Sequence, residues 1–245
     1  MILERTEHLS WLSNAYLIGD EPGGHGVLVD SNGINQPLIE AAERHDLTIT
    51  DVLVTHSHPD HVVTCADDAR RFGVQVLAHV IARDAGVHVD QTLEDGDVVR
   101  SGDLEIAVIE TPGHCRDHLA FLVNGTDCLT ADCLFKGTVG GTTGGGETGY
   151  TDQVHSIMQR LMTLPPETRL HPGHKEPTTV AAEWDENPFI RVWRGLDAEG
   201  DEPCRVRGED ATLILGGPDY DGTHKAWVRF ADGDAIVGGS QVERA

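Results

Sequence analysis

Lysine is nearly absent from this chain. Lys136, Lys175 and Lys225 are the only three among 18 cationic side chains, set against 41 Asp and Glu, and the formal net charge of the 245 residues is −23. A chain without a basic face lacks the footprint that nucleic-acid phosphates require, and it is repelled by anionic membrane surfaces. No nucleic-acid or membrane partner is expected, and the excess acid reads as a solvated face. Cysteine is scarce and irregularly spaced. Cys65, Cys115, Cys128, Cys133 and Cys204 make an odd number with no paired interval, which argues against a secreted disulfide framework and for a reducing compartment. No apolar run approaches the ~18 residues of a membrane-spanning helix. The opening MILERTEHLS has no basic stretch followed by an apolar one, so no signal peptide is expected. Together these absences make a cytoplasmic protein the expectation.

The length is enough for one large domain with a small appendage, and for a core that needs no disulfide staples. Apolar runs broken by Gly and Asn turns predict strands at 14–18, 26–30, 51–55 and 74–78, with helices at 34–46 and 65–72. Hairpins are expected at 98–109 and 119–131. Residues 138–149 are rich in Gly and Thr and read as a loop. An amphipathic helix is expected over 152–164, ended by Pro165-Pro166, with further helical turns at 178–185 and 189–194. After about residue 195 the chain turns acidic and rich in turns. Four or so short strands then predict a small SH3-like β-module at 205–245, following a catalytic domain at 1–196. Many hairpins among alternating strands and helices favour an α/β (α+β) architecture with mixed sheets flanked by helices.

Histidine is the residue in excess, with 14 copies. Residues 55–61 read THSHPDH, just after a strand and just before a helix. In extended chain, residues two apart project to the same side, so His56 and His58 can aim at one metal ion, with Pro59 holding His58 extended. Asp60 and His61 then project from the incoming helix toward a second position. Further candidates sit in Gly- or Asp-bearing turns after apolar runs: His114 in TPGH, Asp132 in TAD, and His174 in HPGH. His25, His79 and His88 read as non-ligands, and His118 and His171 lie near ligand positions. Cys115 and Cys133, each next to a candidate ligand, read as small packing residues.

The ordered series His56, His58, Asp60, His61, His114, Asp132, His174 resembles the metallo-β-lactamase-fold hydrolases over roughly residues 10–195. The resemblance implies an αββα four-layer sandwich with the metals at one edge between the sheets. It also implies a binuclear centre: His56, His58 and His114 on one ion, Asp60, His61 and His174 on the other, and Asp132 bridging. Imidazole and carboxylate donors suit zinc, with iron or manganese as alternatives. Two divalent ions sharing an acidified water imply hydrolysis, with Asp60 and Asp132 as the catalytic carboxylates.

The strings ADCLFKG, HPGHKEPTT and ENPFI are similar to the glyoxalase II, or hydroxyacylglutathione hydrolase, branch. That likeness implies cleavage of an acyl-thiol thioester. With Asp132 in the bridging position, antibiotic hydrolysis is not expected. The acidic C-terminal module replaces the basic helical region with which long members of that branch grip glutathione, so the thiol is open. Lys136, Arg116 and Tyr150 are the candidate substrate contacts. Two alternatives stay open: a mononuclear iron persulfide dioxygenase using His56, His114 and Asp132, and a lactone hydrolase on the same site. The substrate is expected to be a small molecule, and a homo-oligomer is left open.

Overall fold

Strands that are apolar on both faces need cover on both sides, and this requirement organises the first part of the chain. The computed structural model describes residues 1–244. It divides into two compact units, the first made of Met1–Glu110, Asp117–Ala131 and Gly173–Lys175. In it β1 (Ile2–Glu7), β2 (Asn14–Gly19) and β3 (His25–Val29) precede α1 (Gln36–Arg44) and β4 (Thr48–Leu53). The single turn α2 (Pro59–Val62) and α3 (Cys65–Phe72) lead to β5 (Gln75–His79) and β6 (Gln91–Leu93). These strands form one sheet in the order β1-β2-β3-β4-β5-β6. Its first three are antiparallel and its last four parallel. The hairpins β7 (Val98–Ser101)/β8 (Leu104–Glu110) and β9 (Leu119–Val123)/β10 (Asp127–Ala131) pair antiparallel into a second sheet.

Alternation along each strand fixes which layer a side chain joins. Ala15, Leu17, Leu28, Val52 and Val76 pack with Leu38, Ala42, Cys65 and Ala69 of α1 and α3. Their neighbours Tyr16, Ile18, Val27, Val29, Leu53 and Leu77 pack with Ile106, Leu119, Phe121 and Val123 of the second sheet. Helices, sheet and sheet are thereby stacked through two apolar layers. The first strand was not among those expected. Residues 2–7 are half-buried apart from the buried Thr6 and alternate polar with apolar only weakly, and it is the pairing with β2 that makes them a strand.

The second unit comprises Thr111–Arg116, Asp132–Pro172 and the chain from Glu176 onward. The short pair β11 (Leu134–Phe135) and β12 (Thr138–Val139) leads into the Gly-rich loop, and α4 (Tyr150–His155) follows. The single helix expected over 152–164 is interrupted: after α4 the chain widens into a π-turn at Ser156–Arg160 and tightens into a 3-10 turn at Leu161–Thr163. The change of pitch begins at Ser156, whose buried hydroxyl donates to the Pro112 carbonyl at 2.6 Å. Then come β13 (Arg169–Pro172), β14 (Thr178–Thr179), α5 (Val180–Glu186) and α6 (Pro188–Trp193). Asn187 separates the two helices. It caps α6 by accepting from Phe189 N, and it donates to Glu183 of α5 at 2.8 Å.

The C-terminal strands β15 (Glu202–Val206), β16 (Glu209–Pro218), β17 (His224–Arg229), β18 (Asp234–Gly238) and β19 (Val242–Arg244) form one sheet in the order β18-β17-β16-β15-β19. All its pairings are antiparallel, around a small core of Cys204, Val206, Leu213, Val228 and Val237. Among the described residues, no helix is long and apolar enough to cross a membrane.

All five cysteines are buried and none forms a disulfide. Burial pushes Cys65 up to about 11 and Cys128 up to about 12, so little nucleophilic thiolate is present near neutral pH. Iodoacetamide at pH 8 is expected to leave the native chain unlabelled while the urea-unfolded chain takes up five carbamidomethyl groups. Intact-protein mass spectrometry reads the difference, and rapid native labelling would contradict the packing role.

Candidate metal centre

In the first unit the THSHPDH segment leaves β4 as an extended loop. His58 is held at φ −64° and ψ 141°, and Pro59 opens the turn α2 that presents Asp60 and His61. This is the conformation that a residue before proline favours. The ring centroids of His56 and His58 lie 4.8 Å apart, and those of His56 and His61 4.3 Å. His174 arrives from the far end of the sequence. It is bridged to Ser13, and its flanking residues accept from Asn14, Gly173 O from the amide N at 2.6 Å and Lys175 O from Nδ2 at 2.9 Å.

His61 Nε2 and His174 Nε2 then lie 3.5 and 3.6 Å from Asp60 Oδ2. Ligands held about 2.0–2.2 Å from a tetrahedral ion lie roughly 3.3–3.6 Å from one another, so this donor set fits a divalent cation. Both rings are buried, at 0% and 3% exposure. Two buried imidazoles turned toward one carboxylate make a better ion cradle than a surface cluster does.

Asp30 is a functional residue that the sequence reading passed over as the end of a strand. It is buried and left-handed (φ 60°), a conformation that Asp tolerates better than most residues. Its Oδ1 accepts from Thr55 N at 2.8 Å; its Oδ2 accepts from Thr55 Oγ1 at 2.8 Å and from His61 Nδ1 at 2.9 Å. Because the Thr55 hydroxyl gives its proton to Asp30, its oxygen accepts from His56 Nδ1 at 3.0 Å. One carboxylate therefore fixes the tautomer of both His56 and His61, leaving each Nε2 as the lone-pair nitrogen. His118, also buried, stacks on His56 with centroids 5.0 Å apart.

In the second unit His114 Nε2 and Asp132 Oδ2 repeat the 3.5 Å spacing. His114 Nδ1 donates to Gly141 O at 2.9 Å, which again directs Nε2 to the ligand role. Gln153 of α4 is the second residue missed. It is fully buried; its Oε1 accepts from His114 N at 2.8 Å and its Nε2 donates to Cys133 O at 2.7 Å. It joins the His114 turn to the residue after Asp132. A lone Gln inside an amphipathic helix carries no sequence signal for this.

The three candidate substrate contacts all lie in this unit. Lys136 is exposed between β11 and β12. Arg116 is exposed, and its amide donates to Gly146 O of the Gly-rich loop at 2.8 Å. Tyr150 stacks on Trp227, and its hydroxyl accepts from Trp193 Nε1 at 2.8 Å; burial pushes its ionisation up. His79 accepts from Ile81 N and His88 pairs with Asp90, so each has a local partner.

The sequence pattern of the metallo-beta-lactamase superfamily matches residues 10–174, which hold every candidate ligand. The chain belongs to the metallo-beta-lactamase superfamily. The αββα architecture is that of this superfamily, whose solved members share the fold. ETHE1 from Myxococcus xanthus superposes with a TM-score of 0.69 and 29% identity, over 80% of this chain and 92% of that one. TTHA1623, solved in a di-iron-bound form, gives 0.64 and 29%, over 76% of this chain and 99% of that one. In sequence, the chain is 35% identical over 161 residues to a hydroxyacylglutathione hydrolase of Rhodopseudomonas palustris. That match covers 65% of this chain and 61% of the relative's length. The resemblance to the superfamily thus stands, and the structure holds groups of His and Asp that could bind a metal ion.

Proposed function

We propose that this metallo-beta-lactamase superfamily member is a binuclear metal-dependent hydrolase that cleaves the thioester of a small acyl-thiol. His56, His58 and His114 would hold one ion and Asp60, His61 and His174 the other, with Asp132 shared between them. Zinc suits these donors, with iron or manganese as alternatives. Divalent ions held there would supply Lewis acidity and would bring the pKa of a bound water down toward neutrality.

The protein's own residues do the rest. Asp60 offers its second oxygen to orient the attacking water. Asp30 and Thr55 keep His56 and His61 in the ligating tautomer. The Gly141 carbonyl does the same for His114 through Nδ1, and Gln153 holds the backbone of that turn. The observation that carries the hydrolase reading is the converged Asp60–His61–His174 set, its two imidazoles buried and His61 already bonded behind to Asp30. The 35% match to a hydroxyacylglutathione hydrolase supports the thioester as the substrate class. Because that match stops short of the relative's whole length, the thiol is proposed only as a low-molecular-weight one, and the site of action as the cytoplasm.

The test joins metal content to turnover. Metal is measured by plasma mass spectrometry on protein freed of loose ions. Thiol release is followed on a panel of acyl-glutathione and acyl-coenzyme thioesters. About two ions per chain are expected, and His58→Ala or Asp132→Ala is expected to lower kcat/KM at least about a hundredfold. Thioesterase activity that survives both substitutions would sink the proposal. One iron per chain, with oxygen uptake on a persulfide, would replace it with the dioxygenase reading on His56, His114 and Asp132. Turnover of lactones alone would make it a lactonase.

A further inference from the structure

The C-terminal sheet has no part in the ligand series, yet it reaches His114 through a single peptide plane. The peptide joining Gly141 and Thr142 is rigid and flat. Its C=O, from Gly141, accepts from His114 Nδ1 at 2.9 Å. Its N–H, from Thr142, donates to Ile236 O of β18 at 2.8 Å. Ile236 N returns the bond, donating to Thr142 Oγ1 at 2.9 Å. Both residues are buried, Ile236 at 0% and Thr142 at 4% exposure. A rotation of this peptide that releases Ile236 also turns the carbonyl away from the imidazole.

A second route runs beside it. Trp227 of β17 stacks on Tyr150 with ring centroids 5.2 Å apart. Tyr150 opens α4, the helix whose Gln153 accepts from His114 N. The Trp227 indole is itself held by Asp234 at 2.9 Å. Side chain and backbone of His114 are thus each tied, through one intermediate segment, to neighbouring strands of the C-terminal sheet.

We propose that the C-terminal sheet is a positioning element of the metal centre, with Thr142 and Ile236 as the clasp that sets the imidazole of His114. The inference rests on His114 being a metal ligand. Partners behind a ligating histidine are worth roughly 10–100-fold in metal affinity, and bonds in series through one amide polarise each other.

The test uses the full chain loaded with zinc, and with cobalt for its visible absorption. Thr142→Val removes the hydroxyl that accepts from Ile236 N. It is expected to release one ion to a chelator about tenfold more readily, to shift the cobalt spectrum, and to keep the ion held by Asp60, His61 and His174. Thr142→Ser, which retains the hydroxyl, is expected to restore both readouts. Amide exchange supplies a second measurement that needs no change to the clasp. Zinc is expected to slow exchange at Thr142 and Ile236 in the wild-type chain, and not in His114→Ala.

Unchanged chelator resistance and cobalt spectrum in a folded Thr142→Val overturn the proposal. If that variant does not fold, absence of zinc-dependent protection at Ile236 in the wild-type chain overturns it. A wild-type chain that takes up no metal at all overturns instead the metal-centre reading beneath it.

Discussion

Asp30→Ala is expected to lose both stability and metal. The substitution strands three buried donors at once: Thr55 N, Thr55 Oγ1 and His61 Nδ1. A buried donor left without an acceptor costs about 1–3 kcal/mol. The three share one site and do not simply add, so a loss of about 3 kcal/mol or more is expected. In a domain of this size that is a fall of roughly 10 °C in Tm. Alanine also takes the left-handed conformation of residue 30 less readily than Asp. The effect on metal is larger than that of a distant destabilising change, because His56 and His61 lose their tautomer lock together. Metal affinity is expected to fall about a hundredfold. Asp30→Asn separates the two effects: the amide keeps the shape and one acceptor, so stability recovers further than metal affinity does. Thermal melting and chelator competition on the two variants check this. Equal recovery of both would mean that Asp30 acts only as a buried packing group.

Gly113→Ala is expected to be comparably severe, for a steric reason. Gly113 has φ +141°, a conformation that L side chains rarely adopt. A β-carbon there would sit 2.6 Å from Gln153 N and closer still to Gln153 Cα. The backbone of α4 has no flexible end to yield, so strain and overpacking together remove about 3 kcal/mol or more. The displaced residue is also the one that bonds His114 N and Cys133 O. Loss of the ion proposed at His114 is therefore expected alongside a lowered Tm. The control is Gly144→Ala in the neighbouring loop, where an added β-carbon meets nothing within 4 Å and no unusual φ is required; it is expected to melt within about 1 °C of the wild type. Equal melting of the two variants would show that Gly113 has room the structure denies it.

Much of the site was legible because its parts are local. His56, His58, Asp60 and His61 fall within six residues, and Pro59 fixes the geometry between them in the sequence itself. His174 was legible as a ligand type in a Gly turn. The residues that hold the ligands were not. Asp30 earns its role from Thr55 and His61, far along the chain, and by itself reads as the close of a strand. Gln153 is one polar residue in an amphipathic segment, and its two bonds are made to backbone atoms that no periodicity reveals. In the fold, strands buried on both faces were easy to see as apolar runs. Strand β1, half-exposed and carrying Glu4 and Arg5, was not, and neither was the three-residue β19 that completes the C-terminal sheet. The helix expected over 152–164 had the right apolar spacing, but spacing does not register a buried serine reaching for a carbonyl outside its own helix.

The peptide plane behind His114 has a consequence for the order in which this protein is made. Ile236, which anchors that plane, is encoded about 120 residues after His114. At roughly 5–20 residues per second, the histidine leaves the ribosome on the order of ten seconds before its anchor exists. Asp60 and His61 have their supporting Asp30 from the start. The support of His114 is therefore set later than that of His61, so an ion offered during synthesis meets a fully supported His114 only after Ile236 has been made.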